Sequence, residues 1–276
     1  MPIWCRPVLH IATVHFGSPR WIEIQTRYLR EHISVPYQTW SSLNRIDSSY
    51  SVHFDRIIDQ TGRHSDKLNH LAIEIAHEAD DGDLLMFLDA DAFPIADPMP
   101  LITDSLSKAP LLAVRRAENN NDRQPHPCFC VTTVGAWRQL PGDWSPGYKW
   151  TSEGRRVSDV GGNLLRQLEL TETPWVEVLR SNRKSPDPIF FSVYGDVVYH
   201  HGAGSRARAF TRGHNQHAPK RLPVPDVPVA RELVGWVNQG RRRSWKYKSE
   251  RAQMHESNRV YERIQRGDPD WLNDFM

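Results

Sequence analysis

The run Leu84-Leu-Met-Phe-Leu88 constrains this chain more than any other feature. Five consecutive apolar residues without alternation suit a strand covered on both faces, as central parallel strands are. Acidic segments bound the run tightly, with Asp80-Asp-Gly-Asp83 before it and Asp89-Ala-Asp91 after it. Upstream, Leu68, Leu71, Ala72, Ile75 and Ala79 recur at helical spacing. They predict a helix over His64 to Ala79, whose start Ser65 or Asp66 can cap. A helix feeding a buried strand is the repeating unit of doubly wound sheets.

The same alternation runs through the first 100 residues. Val8 to Val14 reads as a strand, Trp21 to Ile33 as a helix and Tyr37 to Leu43 as a second strand. Beyond the central run the pattern predicts a short helix over Pro98 to Leu106 and strands over Leu111 to Val114 and Cys128 to Thr133. A helix over Gly162 to Leu170 and strands over Trp175 to Leu179 and Phe190 to Tyr199 follow. The expected fold is α/β: a mostly parallel twisted sheet with helices on both faces and a C-terminal helical extension. Pro219, Pro223, Pro225 and Pro228 mark a linker. It divides residues 1–218 from a basic tail, 219–276, with a helix near Val229 to Asn238.

The chain has 276 residues, 39% of them from the set AVILMFWYC, enough to cover such a sheet. Its net charge of +2 argues against a nucleic-acid binder. The charge is uneven, however: from Arg206 onward 15 basic residues face 8 acidic ones. An anionic partner would meet the tail, and Arg241-Arg-Arg-Ser-Trp-Lys-Tyr-Lys248 offers peripheral contact with lipid headgroups. Cys5, Cys128 and Cys130 offer no ordinary disulfide and no second pair for zinc, so core packing is expected. No apolar run approaches the roughly 20 residues that span a bilayer, and Arg6 and His10 interrupt any secretory leader. The expected location is cytoplasmic.

The chemistry concentrates where strands end. Asp89 and Asp91 sit at the carboxyl end of the central strand, the edge where open α/β sheets bind ligands. A turn beginning there brings two hard carboxylates to one Mg²⁺ or Mn²⁺. Val197-Val-Tyr-His200-His201-Gly-Ala-Gly-Ser-Arg206 also follows a strand. It adds imidazoles, glycines that let backbone approach a ligand, and the guanidinium groups of Arg206 and Arg208. A metal ligand followed by guanidinium groups suits a metal-bound diphosphate.

The strand ending in Asp-x-Asp, the preceding helix with Lys67 and Asn69, and the late His201-x-x-Gly204-x-Arg206 resemble the GT-A class of nucleotide-sugar glycosyltransferases. The resemblance spans roughly residues 8–210 and stays at the level of the class. It implies a catalytic domain over 1–218, with a nucleotide-binding half over 1–100 and an acceptor-binding half over 101–218. It implies that Asp91 chelates a Mn²⁺ or Mg²⁺ bridging the diphosphate. Asp89 would bind that ion or the ribose, with Ala90 beside it in the nucleotide set. His201 would be the third ligand, with His200 its rival, and Arg206 would contact the diphosphate. Ala12, Thr13, His15 and Asn44 would hold the base, and Lys67 the ribose or phosphate. Asp159 would serve as acceptor-side base, with Trp144, Tyr148 and Trp150 as a sugar-stacking wall. The donor would be a UDP- or GDP-sugar, and the acceptor a glycan, a lipid-linked species or a small molecule.

Three other readings compete. A haloacid-dehalogenase-type phosphatase also uses strand-Asp-x-Asp, but wants Thr or Val where Phe93 stands. A nucleotidyltransferase needs a Gly-rich loop after the first strand, and Thr13-Val-His-Phe-Gly-Ser is not one. A sugar-binding module without catalysis is the third.

Overall fold

The computed structural model describes residues 7–152, 154–202, 213–224 and 226–276. The chain begins with β1 (Leu9–Phe16), α1 (Ile22–His32), β2 (Tyr37–Asn44) and β3 (Arg56–Ile57). Next come α2 (His64–Glu78), β4 (Leu84–Leu88), β5 (Ala92–Pro94), α3 (Met99–Leu106) and β6 (Leu111–Val114). Then follow β7 (His126–Thr133), α4 (Val134–Gln139), β8 (Trp150–Ser152), β9 (Arg155–Val157) and α5 (Gly162–Leu170). Strands β10 (Val176–Val178), β11 (Ser192–Tyr194) and β12 (Val198–His200) and helix α6 (Pro228–Gln265) follow, and a short 3-10 turn over Trp271–Asp274 comes after them.

Seven strands form the main sheet in the order β10-β6-β7-β4-β1-β2-β3. All neighbours pair in parallel except β7, which runs against both β4 and β6. Side-chain alternation sorts the core into two layers. Ala12, Val14, Leu85, Phe87 and Cys130 face one side, beneath Leu68, Leu71 and Ile75 of α2 and Leu164 of α5. Leu9, Ile11, Met86, Leu88 and Val131 face the other, with Leu29 of α1 and Ile102 of α3. The doubly wound arrangement expected from the central run is therefore present.

Local rules explain the boundaries. Asp66 Oδ2 accepts the Arg63 backbone N–H at 2.9 Å and satisfies one of the open donors at the start of α2. Gly161 opens α5 at φ +84°, where a Cβ would stand 2.3 Å from the Pro125 carbonyl oxygen. No other residue fits there.

Three differences from the sequence reading matter. Phe190 to Tyr199 is no single strand: Gly195 and Asp196, at φ +56° and +58°, turn it into the β11–β12 hairpin. This hairpin adds β5 to make a small three-stranded sheet beside the main one. Second, α6 covers 38 residues, far beyond Val229 to Asn238. Third, residues beyond 219 do not all stand apart from the body. Val260, Ile264, Trp271 and Phe275 share a buried cluster with Trp21, Tyr28, Phe93 and Tyr199.

Candidate active site

Strand β4 delivers Asp89 at its carboxyl end, and the chain turns at once, with the Ala92 N–H bonded to the Asp89 carbonyl at 2.9 Å. Gln25, fully buried on α1, staples this turn. Its Nε2 donates to the carbonyls of Asp89 and Ala92, each at 2.8 Å. Its Oε1 faces His15 Nε2 at 3.1 Å and accepts from Thr13 Oγ1 at 3.3 Å. One side chain thus links the exit of β1 to the acid turn.

Strand β5 then pairs antiparallel with β12, setting Ala92 opposite His200. That register brings Asp89, Asp91 and His200 together, with one ligand atom from each lying within 4.8 Å of the others. His200 Nε2 is 3.4 Å from Asp91 Oδ1 and 3.6 Å from Asp89 Oδ2. Two more imidazoles surround Asp89. His64, first residue of α2, places Nε2 3.2 Å from Oδ1, and His126, first residue of β7, places Nδ1 3.9 Å from Oδ2.

The electrostatics follow from this crowding. Two carboxylates at such a separation repel by on the order of 3 kcal/mol at an effective dielectric near 20. Positive charge is therefore strongly favoured between them. Burial opposes a charged His200, but Cys128 and Asp91 more than offset it and hold the imidazolium well above the usual histidine range. His126 behaves oppositely. Burial, reinforced by the nearby Arg116 cation, keeps it neutral, and its Nδ1 accepts the Cys128 N–H at 3.1 Å. The two carboxylates and the imidazole of His200 form a mixed oxygen and nitrogen set that suits Mg²⁺, Mn²⁺ or a related divalent cation. Such an ion would displace the His200 proton.

His201, expected among the ligands, is placed elsewhere. Its Nδ1 lies 3.0 Å from Tyr199 Oη and its Nε2 2.7 Å from Ser257 Oγ of α6. Trp21 and Phe191 flank its ring at 4.5 and 4.9 Å between centroids. With both ring nitrogens engaged, its contribution is its backbone N–H, which donates to the Asp91 carbonyl at 3.0 Å.

The other expected residues divide. Thr13 and His15 are buried at the β1 exit, beside the Gln25 link, and burial lowers the His15 pKa to about 4. Asn44 ends β2 and donates to the carbonyls of Leu43 and Gln60, while its Oδ1 is buried without a partner. Lys67 is buried in the first turn of α2, its Nζ 5.0 Å from the ring of Phe16, which is half exposed at the end of β1. Ala12 does not reach this edge with its side chain, which packs beneath α2. Ala90 lies between the two acids, half-buried. Asp159 keeps a substantially exposed carboxylate whose Oδ2 is 3.5 Å from Arg116. Arg116 also reaches Asp122 at 3.5 Å. Burial opposes its charge, and these two acids outweigh burial and raise its pKa.

The expected aromatic wall is not assembled. Trp144 is wholly buried against Phe87, with centroids 4.9 Å apart, and Trp150 is buried too. Tyr148 is half-buried, and its hydroxyl donates to Glu169. Arg206, Gly204 and Arg208 lie outside the described residues. Sequence reading missed Gln25, His64, Arg116 and His126. A signal existed for His126, because an antiparallel strand beside β4 must start at the edge where β4 ends.

No protein-family model matches this sequence, and no curated protein matches it either. Among solved structures, the chain is similar to the glycosyltransferase GlyE of Streptococcus pneumoniae TIGR4. That match has 12% identity, covers 62% of this chain and 45% of GlyE, and has a TM-score of 0.41. TarS of S. aureus matches at 9% identity over 50% of this chain and 30% of its own, with a TM-score of 0.36. The galactosyltransferase LgtC, solved with donor and acceptor sugar analogs, matches at 12% identity over 47% and 59%, with a TM-score of 0.33. The chain spans less than half the length of GlyE and of TarS.

Proposed function

We propose that this chain is a glycosyltransferase that uses a nucleoside-diphosphate sugar, with a divalent cation held by Asp89, Asp91 and His200. One observation carries the reading: two carboxylates and an imidazole converge within 4.8 Å at the carboxyl end of the central strand. His200 takes the third place that the resemblance gave to His201. A bound Mn²⁺ or Mg²⁺ would offset the charge of a departing diphosphate.

The chain's own side chains supply the rest. Thr13, His15 and Asn44 line the β1–β2 exit and would orient the nucleoside, with the Phe16 ring as a flat face. Lys67 would approach ribose or phosphate, and Arg206 remains the expected diphosphate contact. On the acceptor side, Asp159 would accept the hydroxyl proton, with Arg116 holding its carboxylate in place. Residues 1–100 would serve the donor, joined by His200 and Arg206, and the rest of 101–218 the acceptor, which would be a glycan, a lipid-linked species or a small molecule. A phosphatase of the Asp-x-Asp type needs an open carboxylate to attack phosphorus. Asp89, within 4 Å of three imidazoles, is poorly suited to that.

Titration calorimetry and thermal melting with UDP, GDP and their sugars, with and without Mn²⁺, test the reading. Ligand at about a hundred times its Kd adds roughly 2.7 kcal/mol of stability, a readable rise in melting point. The expected result is Mn²⁺-dependent binding and donor turnover, both abolished by Asp91→Ala in a protein that still melts cooperatively. Nucleotide binding indifferent to both Mn²⁺ and Asp91→Ala would overturn the proposal.

A further inference from the structure

The long helix α6 is two helices in its physical chemistry. Near its end Val260 and Ile264 are fully buried in the body of the protein. Near its start Val229, Leu233 and Trp236 are 70%, 63% and 77% exposed. At 100° per residue, Val229, Leu233, Trp236, Arg243, Tyr247 and Met254 all fall within about 40° of one line along the helix. They form one outward stripe, mostly apolar, and Tyr247 and Met254 on it are exposed as well. Large exposed apolar stripes on a helix mark contact surfaces.

The charge beside the stripe says what could cover it. From Val229 to Met254 seven basic residues accompany two acids, Glu232 and Glu250. Arg241, Arg243 and Lys248 are exposed. Pairing this face with a second copy would set like charge against like charge. An anionic surface meets both demands, taking the apolar stripe into its interior and the cations at its headgroups. Among the described residues no helix is long and apolar enough to cross a membrane, so α6 would lie on the surface rather than span it.

We propose that the outward face of α6 from Val229 to Met254 docks the protein onto an anionic lipid bilayer. The stripe inserts at the level of the headgroups, and Arg241, Arg243 and Lys248 contact phosphate. This goes beyond the sugar-transfer reading and does not depend on it.

Vesicle flotation of the full chain, without nucleotide or metal, tests the proposal independently of the donor site. The probes are vesicles of phosphatidylcholine alone and vesicles containing about a third phosphatidylglycerol, at about 0.1 M salt, where the Debye length is ~10 Å. The protein should float with the anionic vesicles and be released as salt rises. The double change Leu233→Ala with Trp236→Ala, and separately Arg241→Glu with Arg243→Glu, should each lower partitioning by about tenfold or more. Because all four residues are exposed, melting temperatures should not move. Equal floating with neutral and anionic vesicles would overturn the proposal, as would unchanged partitioning of both variants. A concentration-dependent dimer lost in the Leu233/Trp236 variant, with no vesicle binding, would overturn it in favour of self-association.

Discussion

Strand β12 ends between two regions that treat the same side chain in opposite ways. On one side lies the acid cluster, where His200 faces Asp89 and Asp91 and is held protonated well above the ordinary histidine range, Cys128 and Asp91 outweighing burial. On the other side lies an aromatic core, where His201 sits between Trp21 and Phe191 and burial lowers its pKa to about 3. Residue type and sequence position are nearly identical. The surroundings alone decide that one imidazole can serve a cation and the other braces a wall.

The two neighbouring imidazoles should part most widely in metal affinity. His200→Ala should weaken Mn²⁺ binding by about a hundredfold or more, because it removes a donor from the cluster. His201→Ala should change that affinity by less than about tenfold, yet destabilise the fold by on the order of 2–4 kcal/mol, by opening a cavity and orphaning Tyr199 and Ser257. Calorimetric Mn²⁺ titration and urea unfolding measure the two effects, and a reversed ranking of affinities would exchange the roles of the neighbours.

Acid offers the next contrast. His15 is buried with a pKa lowered to about 4. Below pH 6.5 the unfolded chain takes up a proton there that the folded state refuses, so stability falls as pH drops through this window. The loss should be on the order of 2–3 kcal/mol between pH 7 and pH 4. His201 acts with the same sign. Urea midpoints across that range should slope less steeply in His15→Asn, whereas equal slopes would mean that His15 is charged when folded.

The smallest expected effect falls on the turn itself. Gln25→Ala should cost about 1–2 kcal/mol by leaving the Asp89 and Ala92 carbonyls without their shared donor. It should weaken Mn²⁺ binding by about tenfold through the loosened acids. Stability lost with affinity retained would show that β5 alone positions the pair.

Much of this frame is legible in the sequence, and the gaps have physical causes. Leu84 to Leu88 and the α2 pattern are readable because each buries a continuous or periodic set of apolar residues. Asp89 and Asp91 stand out as acids ending such a run. The choice between His200 and His201 is not readable, because it depends on the register of β12 against β5, a three-residue strand. His64 and His126 belong to elements whose approach to β4 exists only in three dimensions. The length of α6 is hidden because its middle, Arg241 to Arg251, lacks the apolar periodicity that marks a packed helix. Trp144 looked like a sugar-stacking surface from its Gly- and Pro-containing loop, but Asn69 holds that loop down. Its Oδ1 accepts the Trp144 N–H at 2.8 Å and its Nδ2 donates to Asp143 at 2.7 Å, drawing the indole under the sheet.

The bond from the His201 N–H to the Asp91 carbonyl carries a consequence for how the protein matures. A ribosome that has released β7 has already made both acids, since Asp89 and Asp91 precede it. It has not yet made β12, which brings His200, nor the Ser257 that steadies His201. During synthesis the nascent chain therefore carries two close carboxylates with no late imidazole to share their charge. Competence to hold a cation tightly should arrive abruptly, once β12 has emerged and paired with β5 to bring His200 to the acids.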